Sequence, residues 1–110
     1  MVQGHRVERI LPVEQFLEFI QSYSRDKITC SGHTFFRLSE QQRKVFKCSA
    51  LVDMVLAKMP VQVGIQYNSC YSVFYKYQSK NYIRLIMDIQ PTKIEIVTFY
   101  IITLLQLPAV

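Results

Sequence analysis

The stretch PVQVGIQYNSCYSVFYKYQSKNYIRLIMDIQPTKIEIVTFYIIT, residues 60 to 103, decides the fold. Apolar and polar residues alternate along much of it with a period of two, which is typical of β-strands with one buried face. Turn-forming residues divide it into four segments, at Asn68-Ser69, Ser79-Lys80-Asn81 and Pro91-Thr92. The last segment, KIEIVTFYIIT, is apolar on both faces, as a central strand would be. The pattern therefore predicts four strands that follow one another as a meander.

The residues before this stretch show the period of helices instead. Apolar residues follow Pro12 at the spacing i, i+3, i+4, i+7, which predicts a helix over about 12–22. A second helix is predicted over 49–59, with Ser49 as its N-cap and Pro60 at its end. HTFFRLSEQQRKVF has a less regular helical pattern, and RVERIL and SRDKITC are predicted to contain short extended pieces. Together these elements predict an α+β fold, in which two or three helices pack on one face of a four- to five-stranded antiparallel sheet.

Composition limits the classes of partner and compartment. The chain of 110 residues is predicted to form one domain, and its net charge of +5 favours an anionic partner such as nucleic acid. Three cysteines at wide spacings predict neither a zinc site nor a disulfide framework, so Cys30 and Cys70 are interpreted as small core residues. No apolar leader is visible, and no apolar stretch reaches the length of a membrane span. We therefore predict a cytoplasmic protein with no membrane association.

The segment CSGHTFFRLSEQQRK, residues 30 to 44, contains the clearest candidate chemistry. His33 and Arg37 are four residues apart, so on a helix their side chains emerge on the same side. Two groups that can both be cationic repel each other unless an anion lies between them. A phosphodiester would satisfy both, with Arg37 binding phosphate oxygens and His33 transferring a proton. Alternatively, His33 bonds to local backbone and Arg37 pairs with Glu40 or Asp88.

A basic run and several tyrosines suggest a surface for nucleic acid. Arg43, Lys44 and Lys47 either extend a positive groove or form a solvated helix face. One side of a predicted strand carries Tyr71, Tyr75 and Tyr77, and one side of the next carries Tyr82 and Arg84. If the two sides coincide, the rings and the guanidinium form a surface for stacked bases and phosphates. Otherwise the tyrosines are half-buried against the helices. No metal-binding or cofactor-binding motif is present, so no cofactor is predicted.

The order of these motifs resembles a small, largely uncharacterised family of the RelE-like toxin superfamily, with BrnT-type ribonuclease toxins as more distant relatives. The resemblance rests on SGHTFFRLSE, VQVGIQYN, VFYKY, IRLIMDI and IVTFY, and covers roughly residues 27 to 103. It implies a RelE-like α+β domain, to which the helix at about 12–22 and the tail at about 104–110 are additions. Relatives commonly carry an E-R-G motif soon after the arginine, whereas this chain reads EQQR with no glycine.

The resemblance also implies an activity. Relatives are metal-independent endoribonucleases that an antitoxin holds inactive, so the implied partners are RNA and an antitoxin-like acidic protein. The matched catalytic positions are His33, Arg37 and Tyr100, and Arg84 is a weaker match. Tyr75 and Tyr77, with the basic run, would then contact the RNA. The alternatives are a non-catalytic RNA-binding module and a protein-interaction module such as a homodimer.

Overall fold

A computed structural model of the chain describes residues 7–32, 34, 41, 46–78 and 80–103. Two α-helices lie within this part of the chain, α1 (Val13–Ile20) and α2 (Cys48–Ala57), with a short 3₁₀ turn at Arg25–Lys27. Its strands are β1 (Val7–Leu11), β2 (Ile28–Cys30), β3 (Gln62–Gln66), β4 (Tyr71–Gln78), β5 (Asn81–Ile89) and β6 (Ile94–Thr103). Both helices lie within two residues of their predicted bounds, and the four strands of the predicted meander are confirmed.

All the strands of the described segments join in one mixed sheet, in the order β1-β3-β4-β5-β6-β2. The strands β3 to β6 pair antiparallel in chain order, and β1 adds antiparallel to β3. By contrast, β2 pairs parallel with β6, where Ile28 lies opposite Ile94. The predicted RelE-like class, with a four- to five-stranded antiparallel sheet, is therefore wrong. The prediction missed that β1 and β2 add to the two edges of the meander. There their backbone N–H and C=O groups pair with those of β3 and β6.

The main core lies between the helices and one face of the sheet, which we call the helix face. From α1 and α2 it includes Phe16, Ile20, Leu51, Val52 and Val55, and from the central strands Val73, Tyr75, Ile83, Leu85 and Met87. The strand residues are all odd-numbered, as the period of a strand requires. The predicted N-cap of α2 is wrong: Lys47 precedes the helix and makes no side-chain capping bond.

The other side of the sheet, which we call the opposite face, is also partly closed. Phe74 and Ile86 point to it and are fully buried, although neither belongs to the main core. All five residues of β3 are buried too, whereas the alternation in the sequence predicts a half-buried strand. The difference arises because β1 pairs outside β3, which makes β3 an inner strand.

Gly64 of β3 allows the Val7 side chain of β1 to lie close against the β3 backbone. A Cβ atom at this position would lie 2.6 Å from Val7 Cγ1 and 3.1 Å from Val7 Cγ2. We expect Gly64→Ala to lower the free energy of unfolding by about 1–3 kcal/mol, because a methyl group has no room in this contact. Urea unfolding monitored by circular dichroism measures the change. The double variant Val7→Ala with Gly64→Ala should recover most of the loss, and strictly additive losses would contradict the contact.

A disulfide joins Cys30 at the end of β2 to Cys48 at the start of α2, with their Cα atoms 6.0 Å apart. The prediction of no disulfide is therefore wrong, as is the interpretation of Cys30 as a free core thiol. The bond brings together two residues that are 18 apart in sequence, a spacing that no motif signals. Disulfides persist mainly in oxidising compartments. The apparent lack of disulfides therefore no longer supports the predicted cytoplasmic location. Within the described segments, no helix is long and apolar enough to cross a membrane.

Candidate functional site

Arg84 and Tyr100, two of the predicted catalytic residues, are neighbours on the opposite face. Arg84 of β5 is the direct cross-strand partner of Tyr100 of β6. Side chains at such positions have Cβ atoms about 4.5–5.5 Å apart, so the guanidinium and the phenol share one site. Both side chains are half-buried.

A β-bulge in β6 places Tyr100 on this face. The residues Ile96 and Thr98 pair with successive residues of β5, which leaves Val97 as an extra residue. Before the bulge, Ile94 and Ile96 point into the core, and strict alternation would place Tyr100 there as well. The residue that follows β2 holds the bulge, because the Ser31 hydroxyl donates to the Val97 carbonyl at 2.7 Å.

The guanidinium of Arg84 contacts Ser72, Gln66 and the ring of Phe74. Its Nε donates to Ser72 Oγ at 3.1 Å, and its Nη2 donates to Gln66 Oε1 at 2.9 Å. The guanidinium carbon lies 5.4 Å from the centre of the Phe74 ring, over its face. Such a cation–π contact adds to the two hydrogen bonds in restricting the side chain.

Gln66 is itself held by the turn that connects β3 and β4. Its amide Nε2 donates to Asn68 Oδ1 at 3.1 Å, and the same oxygen accepts from the backbone N–H of Cys70 at 3.1 Å. Ser69 between them has a φ of 70°, the left-handed conformation that closes this tight turn. The turn thus fixes the Gln66 amide, with its oxygen towards Arg84 and Ser72.

Burial and the neighbouring phenol act on the charge of Arg84 in opposite directions. Burial lowers the pKa of the guanidinium, and the interaction with Tyr100 raises it. Arginine stays protonated at neutral pH under such perturbations, so the site keeps one full positive charge. The result is a fixed cation beside a hydroxyl that can donate a hydrogen bond.

The other predicted residues do not all lie within the described structure. His33, Arg37, Arg43 and Lys44 lie outside the described residues. Lys47 is exposed immediately before α2, and α2 packs on the helix face. The predicted role of Lys47 in binding nucleic acid stays a prediction.

Burial limits the predicted stacking role of Tyr75 and Tyr77. Tyr75 is 1% exposed within the main core, and Tyr77 is half-buried, with its ring centre 5.4 Å from that of Phe46. Both side chains point to the helix face, whereas Arg84 points away from it, so the two strand sides do not coincide. The alternative interpretation, tyrosines half-buried on the helical side, matches Tyr71 and Tyr77, whereas Tyr75 is fully buried.

The hydroxyl of Tyr75 is buried in the main core. It finds no hydrogen-bond partner among the described residues, and burial raises its pKa. We expect Tyr75→Phe to raise the free energy of unfolding by about 1–2 kcal/mol, because an unsatisfied polar group leaves the core. Denaturant unfolding at pH 7 measures this gain, and a loss would mean that the hydroxyl has a stabilising partner.

The same substitution should change the dependence of stability on pH. Because the folded pKa is raised, the unfolded state loses the proton first as pH rises past about 10. The wild type therefore loses stability above that pH, and the loss should be smaller for Tyr75→Phe.

Two residues of the site, Gln66 and Ser72, were not predicted from the sequence. Both alternate with apolar neighbours and therefore indicate an exposed polar side, yet they are 1% and 0% exposed. Only the pairing of another strand with the outer edge of β3 could have indicated that these two residues are buried beside Arg84. A guanidinium oriented by buried acceptors, beside a phenol, makes a site suited to a phosphate group.

Comparisons with known proteins leave this site to be interpreted from its own geometry. The sequence matches no family model, and neither the curated proteins nor the solved structures include a match.

Proposed function

We propose that the protein is a metal-independent endoribonuclease and that Arg84 and Tyr100 bind the phosphate at which RNA is cleaved. The observation that carries the proposal is the Arg84 guanidinium, held by Ser72 and Gln66 beside its cross-strand partner Tyr100. A held arginine binds phosphate oxygens with less loss of side-chain entropy than a mobile one.

The charge of the chain and the motifs of its sequence support RNA as the substrate. A net charge of +5 attracts a polyanion and speeds its association. The IVTFY motif that contains Tyr100 is one of the matches to RelE-like toxins, and the proposal takes the activity from that resemblance. The same resemblance supports an antitoxin-like acidic protein as the partner.

In the proposed reaction, the 2′-oxygen of a ribose attacks the adjacent phosphorus, and the bond from phosphorus to the 5′-oxygen breaks. The products are a 2′,3′-cyclic phosphate and a 5′-hydroxyl. Arg84 stabilises the negative charge that grows on the phosphoryl oxygens, and the Tyr100 hydroxyl donates to one of them. The proton leaves the 2′-hydroxyl and another reaches the 5′-oxygen, transfers for which His33 is the predicted residue.

The test is incubation of the purified protein with mixed RNA in EDTA, followed by analysis of the new ends. The proposal predicts cyclic phosphate ends and a loss of rate in Tyr100→Phe. Tyr82→Phe is the matched control, because Tyr82 is another half-buried tyrosine of the opposite face. Intact RNA at high protein excess, with salt-dependent binding, would instead support the alternative of a non-catalytic RNA-binding module.

A further inference from the structure

We propose that Gln66 is a positioning residue, which orients the Arg84 guanidinium for the phosphate through a relay that starts in the β3–β4 turn. This inference rests on the proposed function and extends it to a residue that would not itself contact RNA. It is carried by the direction of the hydrogen bonds and by the burial of the groups that make them.

The first step of the relay lies in the turn. Asn68 Oδ1 accepts from Cys70 N and from Gln66 Nε2, both at 3.1 Å. Because Nε2 can only donate and Oε1 can only accept, this contact fixes which end of the Gln66 amide faces the sheet. The amide oxygen therefore points towards Ser72 and Arg84.

The second step lies in the buried part of the sheet. Gln66 Oε1 accepts from Ser72 Oγ and from Arg84 Nη2, and Ser72 Oγ accepts from Arg84 Nε. Gln66 and Ser72 are both almost completely buried, so water does not compete for these contacts. Two donors of the planar guanidinium, Nε and Nη2, are thus held by neutral acceptors.

The neutrality of the amide distinguishes this role from a structural ion pair. A glutamate at position 66 could not donate to Asn68 Oδ1, but its carboxylate would still accept from the guanidinium and would cancel its charge. A methionine would keep the volume but would remove the acceptor. The two substitutions therefore separate the orientation of Arg84 from its charge.

The experiment compares the wild type with Gln66→Met, Gln66→Glu and the control Gln62→Met. Gln62 is a second buried glutamine of β3. The first readout is the Arg84 Nη2–H signal in a ¹⁵N-edited NMR spectrum at low temperature, identified by its absence in Arg84→Lys, because Nη2 is the donor to Gln66. The signal should be protected from solvent exchange in the wild type, in Gln62→Met and in Gln66→Glu, and should lose protection in Gln66→Met.

The second readout is RNA cleavage at a temperature at which all four proteins are folded. Gln66→Met should lower kcat about tenfold with KM changed less than about threefold, because the charge remains but its orientation is lost. Gln66→Glu should instead act mainly on KM. Gln62→Met should match the wild type in both parameters.

The outcomes separate the two proposals. An unchanged Arg84 signal in Gln66→Met overturns the relay, whatever the protein does to RNA. A changed signal with the same kcat as Gln62→Met shows that orientation is irrelevant to the reaction and also overturns it. If neither the wild type nor Arg84→Lys cleaves RNA, the proposed function itself fails, and the catalytic meaning of the relay fails with it.

Discussion

Arg84→Lys is expected to lower the rate of RNA cleavage about 100-fold at saturating substrate, the size of effect seen when one oriented charge donor is lost from an active site. Lysine keeps the positive charge, but its ammonium cannot reproduce the planar fork with which arginine binds Ser72, Gln66 and a phosphate together. The loss should therefore appear in kcat more than in the salt dependence of RNA binding.

The matched control is Arg25→Lys. Arg25 forms an ion pair with Asp53 and donates to the Ser49 carbonyl at 3.4 Å, and its side chain is 52% exposed. This variant makes the same chemical change on the surface and should cleave RNA like the wild type. Equal rates for wild type, Arg25→Lys and Arg84→Lys would remove Arg84 from the reaction.

Reduction of the Cys30–Cys48 disulfide is expected to have the largest effect on stability. The bond joins two residues that are 18 apart in sequence. Opening it increases the conformational entropy of the unfolded chain, which lowers the free energy of that state by about 3 kcal/mol. For a domain of this size the melting temperature should fall by about 10 °C. Thermal unfolding with and without dithiothreitol measures the change.

Cysteine variants separate this disulfide from other effects of the reductant. The double variant Cys30→Ser with Cys48→Ser should melt at the lower temperature in both conditions. Cys70→Ser should keep the response of the wild type, because Cys70 is a free thiol. A wild-type melting temperature that dithiothreitol leaves unchanged would contradict a stabilising disulfide.

The local elements of the fold could be predicted because each has a strong period of its own. The alternation of β4 and β5 and the apolar stripe of α1 are visible in any short window of sequence. The pairing of β1 with β3 and of β2 with β6 depends instead on contacts between residues more than 50 positions apart. Local patterns carry no information about such pairing, so the predicted sheet has too few strands and the wrong direction for one of them.

The candidate site could be predicted only in part, because its geometry also depends on strand pairing. Arg84 and Tyr100 were chosen by motif, and the structure makes them cross-strand partners. Their shared face depends on the bulge at Val97, and a single extra residue in a strand leaves no clear trace in a sequence that is apolar on both faces. Gln66 and Ser72 have the same pattern as exposed polar residues, so only the register of the outer strand identifies them as buried.

The central claim, that Arg84 and Tyr100 bind the phosphate of RNA, is tested most directly by where RNA contacts the protein. A short RNA whose 2′-hydroxyls are methylated cannot undergo the proposed attack and can be titrated into ¹⁵N-labelled protein. We predict the largest chemical-shift changes at the Arg84 Nε–Hε group and at the backbone amides of β5 and β6 around Arg84 and Tyr100. Saturable binding that leaves these signals unmoved while others shift would contradict the claim.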